Sequence, residues 1–201
     1  MPRPLIPDRR NRILDAGEAL ILERGFDAMS IQAIADRVGI AKGAVYREFN
    51  SKIEILDVLL RRAMDRMVQH SQELLGGNPR PRLSESYRVG IQVLLDDPLM
   101  TAAFLDDAGV LGSYIDTVHD GRYRARYLAT IEWITELQQR GALARDIDAE
   151  ALALALASTT LGLLTAAKHL GPLSRKQLEA AISAIEAMVT TLEPPPPDTN
   201  R

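Results

Sequence analysis

The chain has 201 residues, no cysteine, 46% apolar and 25% charged residues, and a formal net charge of −3. That length can bury a sizeable core in one domain or two small ones, and the composition is that of an ordinary globular protein. It excludes a disulfide framework, a thiolate metal site and a cysteine nucleophile.

The charge is unevenly divided. Residues 1–52 hold nine Lys/Arg against seven Asp/Glu, whereas the remaining 149 hold fifteen against twenty. A slightly basic N-terminal part on an acidic body should meet polyanions in one orientation. The start, from Met1 to Pro7, has no apolar signal-peptide core, so a cytoplasmic location is expected. Arg3, Arg9, Arg10 and Arg12 form a basic arm that either reaches phosphates or stays a solvated tail. From Asp8 to Arg24, Ile13, Ala16, Gly17, Leu20 and Ile21 mark one face of a first helix, ended by Gly25. Phe26 is placed to plug a small core.

Ser30 is a good N-cap, and after it Ile31, Ile34, Ala35 and Val38 recur at i, i+3, i+4, i+7. Gly39 supplies the left-handed conformation that ends a short helix. A further short helix follows with Ala41, Ala44, Val45 and Phe49 on its apolar side and Lys42, Gly43, Tyr46 and Arg47 opposite. Two short helices joined by a Gly turn make a helix-turn-helix, whose second helix can enter a major groove. Periodicity alone leaves a solvated surface hairpin as an equal reading. Lys42 and Arg47 can reach guanine edges or phosphates, Tyr46 can donate to a phosphate, and Gly43 and Ala44 let the helix come close. Ser51 caps the next segment and puts Lys52 in its first turn, where a phosphate would relieve the clash with the helix dipole.

The run Ser30-Ile31-x-x-Ile34-Ala35-x-x-x-Gly39-Ile40-x-Lys42-Gly43-x-x-Tyr46-x-x-Phe49-x-Ser51-Lys52 resembles the DNA-binding signature of TetR-type transcriptional regulators. The match covers roughly residues 9 to 60. Ala41 departs from it, since the family usually caps the recognition helix there with Ser or a similar residue; the lost cap costs about 1 kcal/mol. The resemblance implies a DNA-binding fold and says almost nothing of a ligand. On this basis Lys42, Gly43, Ala44, Tyr46 and Arg47 are expected to meet the major groove, and Ser30, Gln32 and Lys52 the DNA backbone.

Ser51 to about Leu75 reads as a long helix with Leu56, Leu59, Leu60, Ala63, Met64 and Met67 buried, a natural mechanical link into the body. Gly76 to Pro81 breaks it. Beyond lie helices at about 84–95, 98–111, 121–140, 148–170 and 174–192, with no alternating β pattern. The predicted fold is all-α with about nine helices. An arm and three-helix DNA-binding domain occupies 1–52, a ligand-binding and dimerisation bundle 53–193, and a Pro-rich tail 194–201.

Ala151 to Ala167 is seventeen residues without a charge. A membrane span needs about 20 apolar residues, and Ser158, Thr159, Thr160 and Thr165 interrupt this one, so no membrane partner is expected. The last helix carries an unbroken stripe of Leu178, Ala181, Ile182, Ile185, Met188, Val189 and Leu192. Two such helices exceed what a small body hides, which favours a two-fold four-helix interface. The resemblance implies the same pairing, and Leu156, Leu163, Leu178, Ile182, Ile185 and Val189 are the expected contacts; an intrachain core is the alternative.

The three histidines lack metal-ligand spacing and no catalytic or cofactor motif appears, so neither an enzyme nor a bound cofactor or metal is expected. Phe104, Tyr114, His119, Tyr127, Thr130, Trp133 and Leu163 could line an apolar effector site, with Asp106 as a further orienting group. The expected function is sequence-specific regulation: a homodimeric repressor released from a palindromic double-stranded operator by a small, largely apolar effector. The alternative, resting on Ala41 and the small positive excess, is a helical interaction protein of the same fold that reads no DNA sequence.

Overall fold

The computed structural model describes residues 7–105, 107–117 and 122–195, which form ten α-helices and one 3-10 helix, with no strand among them. His119, Asp106, Arg3 and all but the first two residues of the tail lie outside the described residues. The helices are α1 (Arg9–Arg24), α2 (Ile31–Val38), α3 (Lys42–Tyr46), α4 (Lys52–Leu74), α5 (Leu83–Asp96), α6 (Pro98–Leu105), α7 (Ala108–Leu111), α8 (Arg122–Gln139), α9 (Ala149–Leu170) and α10 (Arg175–Thr190). The helix expected over 98–111 is divided. Asp107 ends the first piece and restarts the second, its carboxylate accepting from the Gly109 amide at 2.8 Å, and a 3-10 helix follows over Gly112–Thr117.

The chain folds as two compact units, one of residues 1–68 with 97–119, the other of 69–96 with 120–201. In the first unit Ile55, Leu56, Leu59 and Ala63 of α4 are fully buried and close the core begun by Ile13, Ile21, Ile34 and Ala35. Gly17 lets this happen, because a Cβ there would stand 3.2 Å from the Ile55 side chain. The buried stripe of α4 is narrower than its pattern suggests: Leu60 and Met67 are half-buried and Met64 is exposed.

The segment from α6 to the 3-10 helix joins the first unit through the α1–α2 turn. The Phe26 amide donates to the Val110 carbonyl at 2.8 Å, and the Phe26 ring meets Tyr114 edge-on at 5.8 Å. Asp27 accepts from the Ser113 amide at 3.0 Å and its hydroxyl at 2.5 Å. Tyr114 donates to Asp57 of α4 at 2.6 Å. At the start of α6, Asp97 caps the Met100 amide and pairs with Arg66 at 2.8 Å; Arg66 also holds Glu18 of α1 at 2.7 Å.

In the second unit α5 packs on α10 and α8 on α9. Leu83, Ile134, Leu137, Leu143, Leu152, Ala153, Leu156 and Val189 form its core. The N-terminus of α5 is closed by Glu193, whose buried carboxylate accepts from the Ser84 amide at 2.8 Å and its hydroxyl at 2.9 Å, and pairs with Arg82 at 2.8 Å. Three charge-assisted bonds of this kind satisfy a group that burial would otherwise make costly. Ser174 and Gln177 form a reciprocal capping box on α10.

The Asp27 contact gives a pH-dependent test. The Ser113 hydroxyl, then its amide, with Lys52 adding a favourable field, hold the Asp27 carboxyl below its usual range. Its stabilising contribution is present above the unfolded-state pKa and is lost as pH falls through the lowered native one. Asp27→Asn should lower the melting temperature at neutral pH, and the gap from the parent should close in acid. A gap that is constant across pH would contradict this.

Candidate nucleic-acid interface

The α2–turn–α3 unit is assembled from local rules. Ser30 has extended backbone angles and its Oγ accepts from the Ala33 amide at 3.1 Å. Gly39 ends α2 at φ 76°, and the Ile40 amide returns to the Ala35 carbonyl at 3.0 Å. Ala41 stands extended at the start of α3 with no side-chain cap. Five residues do not hold a helix in water unaided. Tertiary packing does it here, with Val45 0% and Phe49 1% exposed beneath the helix.

That anchoring decides which residues face out. Lys42, Gly43, Tyr46 and Arg47 are exposed. Ala44 is not: at 6% exposure its methyl lies in the core, so it does not present a side chain to a groove. Its place one residue before Val45 on the inner side of the helix is the reason. The Lys42 ammonium lies 6.0 Å from the Tyr46 ring centroid. Arg47 ends α3 and makes no ion pair among the described residues, leaving its planar fork of donors open. A Cβ on Gly43 would meet nothing within 4 Å.

The residues expected at the DNA backbone differ in availability. Ser30 spends its acceptor on the cap and Gln32 donates to Asp36 at 2.7 Å, both at the surface. Lys52 is tied inward: it donates to the Phe26 carbonyl at 3.2 Å and lies 4.3 Å from the Phe26 ring centroid. It fastens the start of α4 to the α1–α2 turn. Arg37 is paired with Glu23 at 2.6 Å. The basic arm also resolves into distinct roles. Arg9 pairs with Glu48, just after α3. Arg10 lies 4.2 Å over the Phe49 ring and donates to the Glu48 carbonyl at 2.8 Å. Neither pairing was readable from sequence, because the partners are almost forty positions apart.

The expected effector-site residues fall in both units. Phe104 and Tyr114 belong to the first, where Tyr114 is 4% exposed and bonded to Asp57. Tyr127, Thr130, Trp133 and Leu163 belong to the second and are all half-buried; Tyr127 donates to the Glu150 carbonyl at 3.2 Å. Burial pushes the Tyr127 hydroxyl pKa up, with Glu150 and Asp148 adding to it. Among the expected pairing residues, Leu156, Ile182 and Val189 are buried within their own chain, and Leu163, Leu178 and Ile185 are half-buried. The outward large apolar residues of the same helices are Leu154, Leu161 and Leu170 on α9 and Met188 on α10, at 57%, 44%, 78% and 70% exposure.

Residues 13–59 match the family model of bacterial regulatory proteins of the tetR family. The transcriptional repressor KstR of Rhodococcus jostii is 35% identical over 96 residues, 48% of this chain and 45% of that protein. The chain therefore aligns with less than half the length of that relative. The repressor KstR2 of Mycobacterium tuberculosis is 26% identical over 187 residues, 90% of this chain and 92% of the relative. The solved structure of the ketosteroid transcriptional regulator KstR2 from the same organism superposes with a TM-score of 0.60 at 21% identity, covering 95% of this chain and 98% of that one. At that identity the likeness speaks for the fold.

Gly43 gives a test that separates fold from contact. Gly43→Ala fills open space on a helix and should stabilise the free protein by up to about 1 kcal/mol. If a duplex approaches α3 closely, the same methyl should weaken DNA binding. Loss of binding with unchanged or raised melting temperature is the expected pair of results in a titration and a melt.

Proposed function

Because this chain belongs to the TetR family of bacterial regulatory proteins, we propose that it is a homodimeric repressor that reads a palindromic operator through α3. The observation carrying this is the division of one short helix: Ala44 and Val45 go into the core, while Lys42, Gly43, Tyr46 and Arg47 stay outside. Such a helix is anchored on one side and free to enter a major groove on the other. Two-fold symmetry then sets half-sites about one helical turn apart. The setting is cytoplasmic.

The dimer is built on α9 and α10. Leu154, Ser158 and Leu161 follow one another at helical spacing and are exposed, as are Ala180, Ala184, Ala187 and Thr191. Leu156, Ile182 and Val189 back this surface from within the monomer. Small residues on α10 allow close approach, and only 22% of the stretch Ala149–Ala166 is buried inside the monomer. A second copy is the economical cover for an apolar helix left this open. Leu161→Glu should yield a folded monomer in sedimentation that has lost tight operator binding; an intact dimer would reject the assignment.

A small, largely apolar effector binds among the half-buried aromatics of the second unit, Tyr127 and Trp133, and releases the operator. It acts by its difference in affinity for the two states and no more. Helix α4, continuous from Lys52 to Leu74, and the contacts of 107–114 on the α1–α2 turn carry the change to α3. Ketosteroids are the first compounds to screen, given the description of the KstR2 structure.

Selection from a random duplex pool tests the DNA reading. An enriched palindrome is expected, and Arg47→Ala should lose about 1–3 kcal/mol concentrated at one base pair. Uniform weakening across sequences would favour the interaction-protein reading instead.

A further inference from the structure

We propose that Arg10 is a second DNA-contacting residue, a phosphate clamp held beside the end of α3 by the Phe49 ring and the Glu48 carbonyl. The inference rests on the DNA-binding reading above. Arg9 and Arg10 are adjacent in sequence and do different things. The Arg9 guanidinium is used up on the Glu48 carboxylate, with both side chains about four-fifths buried. Arg10 is exposed, and among the described residues it commits one nitrogen, donating to the Glu48 carbonyl at 2.8 Å. Its Cζ lies 4.2 Å from the Phe49 ring centroid. That contact and the Glu48 bond restrain the guanidinium while its remaining donors are uncommitted among the described residues and available to phosphate oxygens.

The position follows from Phe49 and Glu48, which come directly after the exposed Arg47. A duplex read by α3 brings its backbone past the end of that helix. Glu48 would repel it, but Arg9 already neutralises that carboxylate, so Arg10 adds its charge at this spot to that of Arg47, unpaired among the described residues. It also sits in the first turn of α1, which contains no acidic residue. A cation there opposes the helix dipole, and a phosphate oxygen removes the conflict. A side chain held in place beforehand loses less freedom on binding than a waving lysine would.

The test is the salt dependence of binding of the full chain to a mixed-sequence duplex, with melting temperatures taken in parallel. Arg10→Ala should weaken binding several-fold and reduce the slope of log affinity against log salt by about one. Sequence preference in the pool selection should not change. Arg10→Lys should restore the slope, and Arg140→Ala, which removes an exposed charge from the second unit, should leave it alone. A parental slope in Arg10→Ala, whether or not its melting temperature falls, overturns the proposal while leaving the regulator reading intact. Absence of salt-dependent duplex binding by the parent protein overturns both.

Discussion

At the turn after α1, a Cβ on Gly25 would stand 2.6 Å from the Gly109 carbonyl oxygen, and the backbone itself turns through φ 80°. A glycine is the residue that permits both the conformation and the approach. Because the two segments meet there, the Phe26 amide reaches Val110, Asp27 reaches Ser113, and Lys52 can fold its ammonium over the Phe26 ring onto the carbonyls of Phe26 and Asp27. The α1–α2 turn thus fixes the starts of two other elements, α4 and the 3-10 helix. Gly112, at φ 52°, repeats the device, since a Cβ there would run into the Asp27 carboxylate. The helix-turn-helix is therefore held by a docked segment about eighty residues further along the chain.

A charged layer supports the same arrangement along the middle of α1. Arg62 pairs with Asp15 and Glu18, and Arg66 with Glu18 and Asp97. Isolated surface pairs contribute little, but a network spreads the ordering cost over several bonds. Burial opposes the charge on Arg66, and the hydrogen bonds it donates to Asp97 and Glu18 more than offset it, raising its pKa. In the second unit the corresponding fastening is Glu193 at the head of α5, where Tyr87 also ties its hydroxyl to Thr160 and to the Leu156 carbonyl.

What could be read from sequence was whatever is local. Ser30, Gly39 and Ser51 act as the caps and stops their chemistry suggests, and the helix order follows apolar periodicity through α5 and α8 to α10. The misses share a cause. Met64 falls where a 3.6-residue period is ambiguous, so only tertiary packing decides its side. Ser113, Asp27, Asp57 and Arg10 act through partners dozens of positions away, and no pattern in the chain links them. The stripe on α10 was visible, but the same stripe serves two faces: Ile182 and Val189 turn inward while Met188 turns out. Sequence spacing marks a helix as two-sided and leaves open which side belongs to its own chain.

The division of labour within α3 has a bearing on how such a protein can change. Its inner residues, Ala44, Val45 and the following Phe49, hold the helix, while Lys42, Gly43, Tyr46 and Arg47 contribute almost nothing to the core. On the proposed reading, substitution at the outer positions alters what is recognised without disturbing what is folded. New binding specificities are then reachable by single steps through stable intermediates, so duplicated copies of this scaffold can diverge toward different target sites while their interior stays the same.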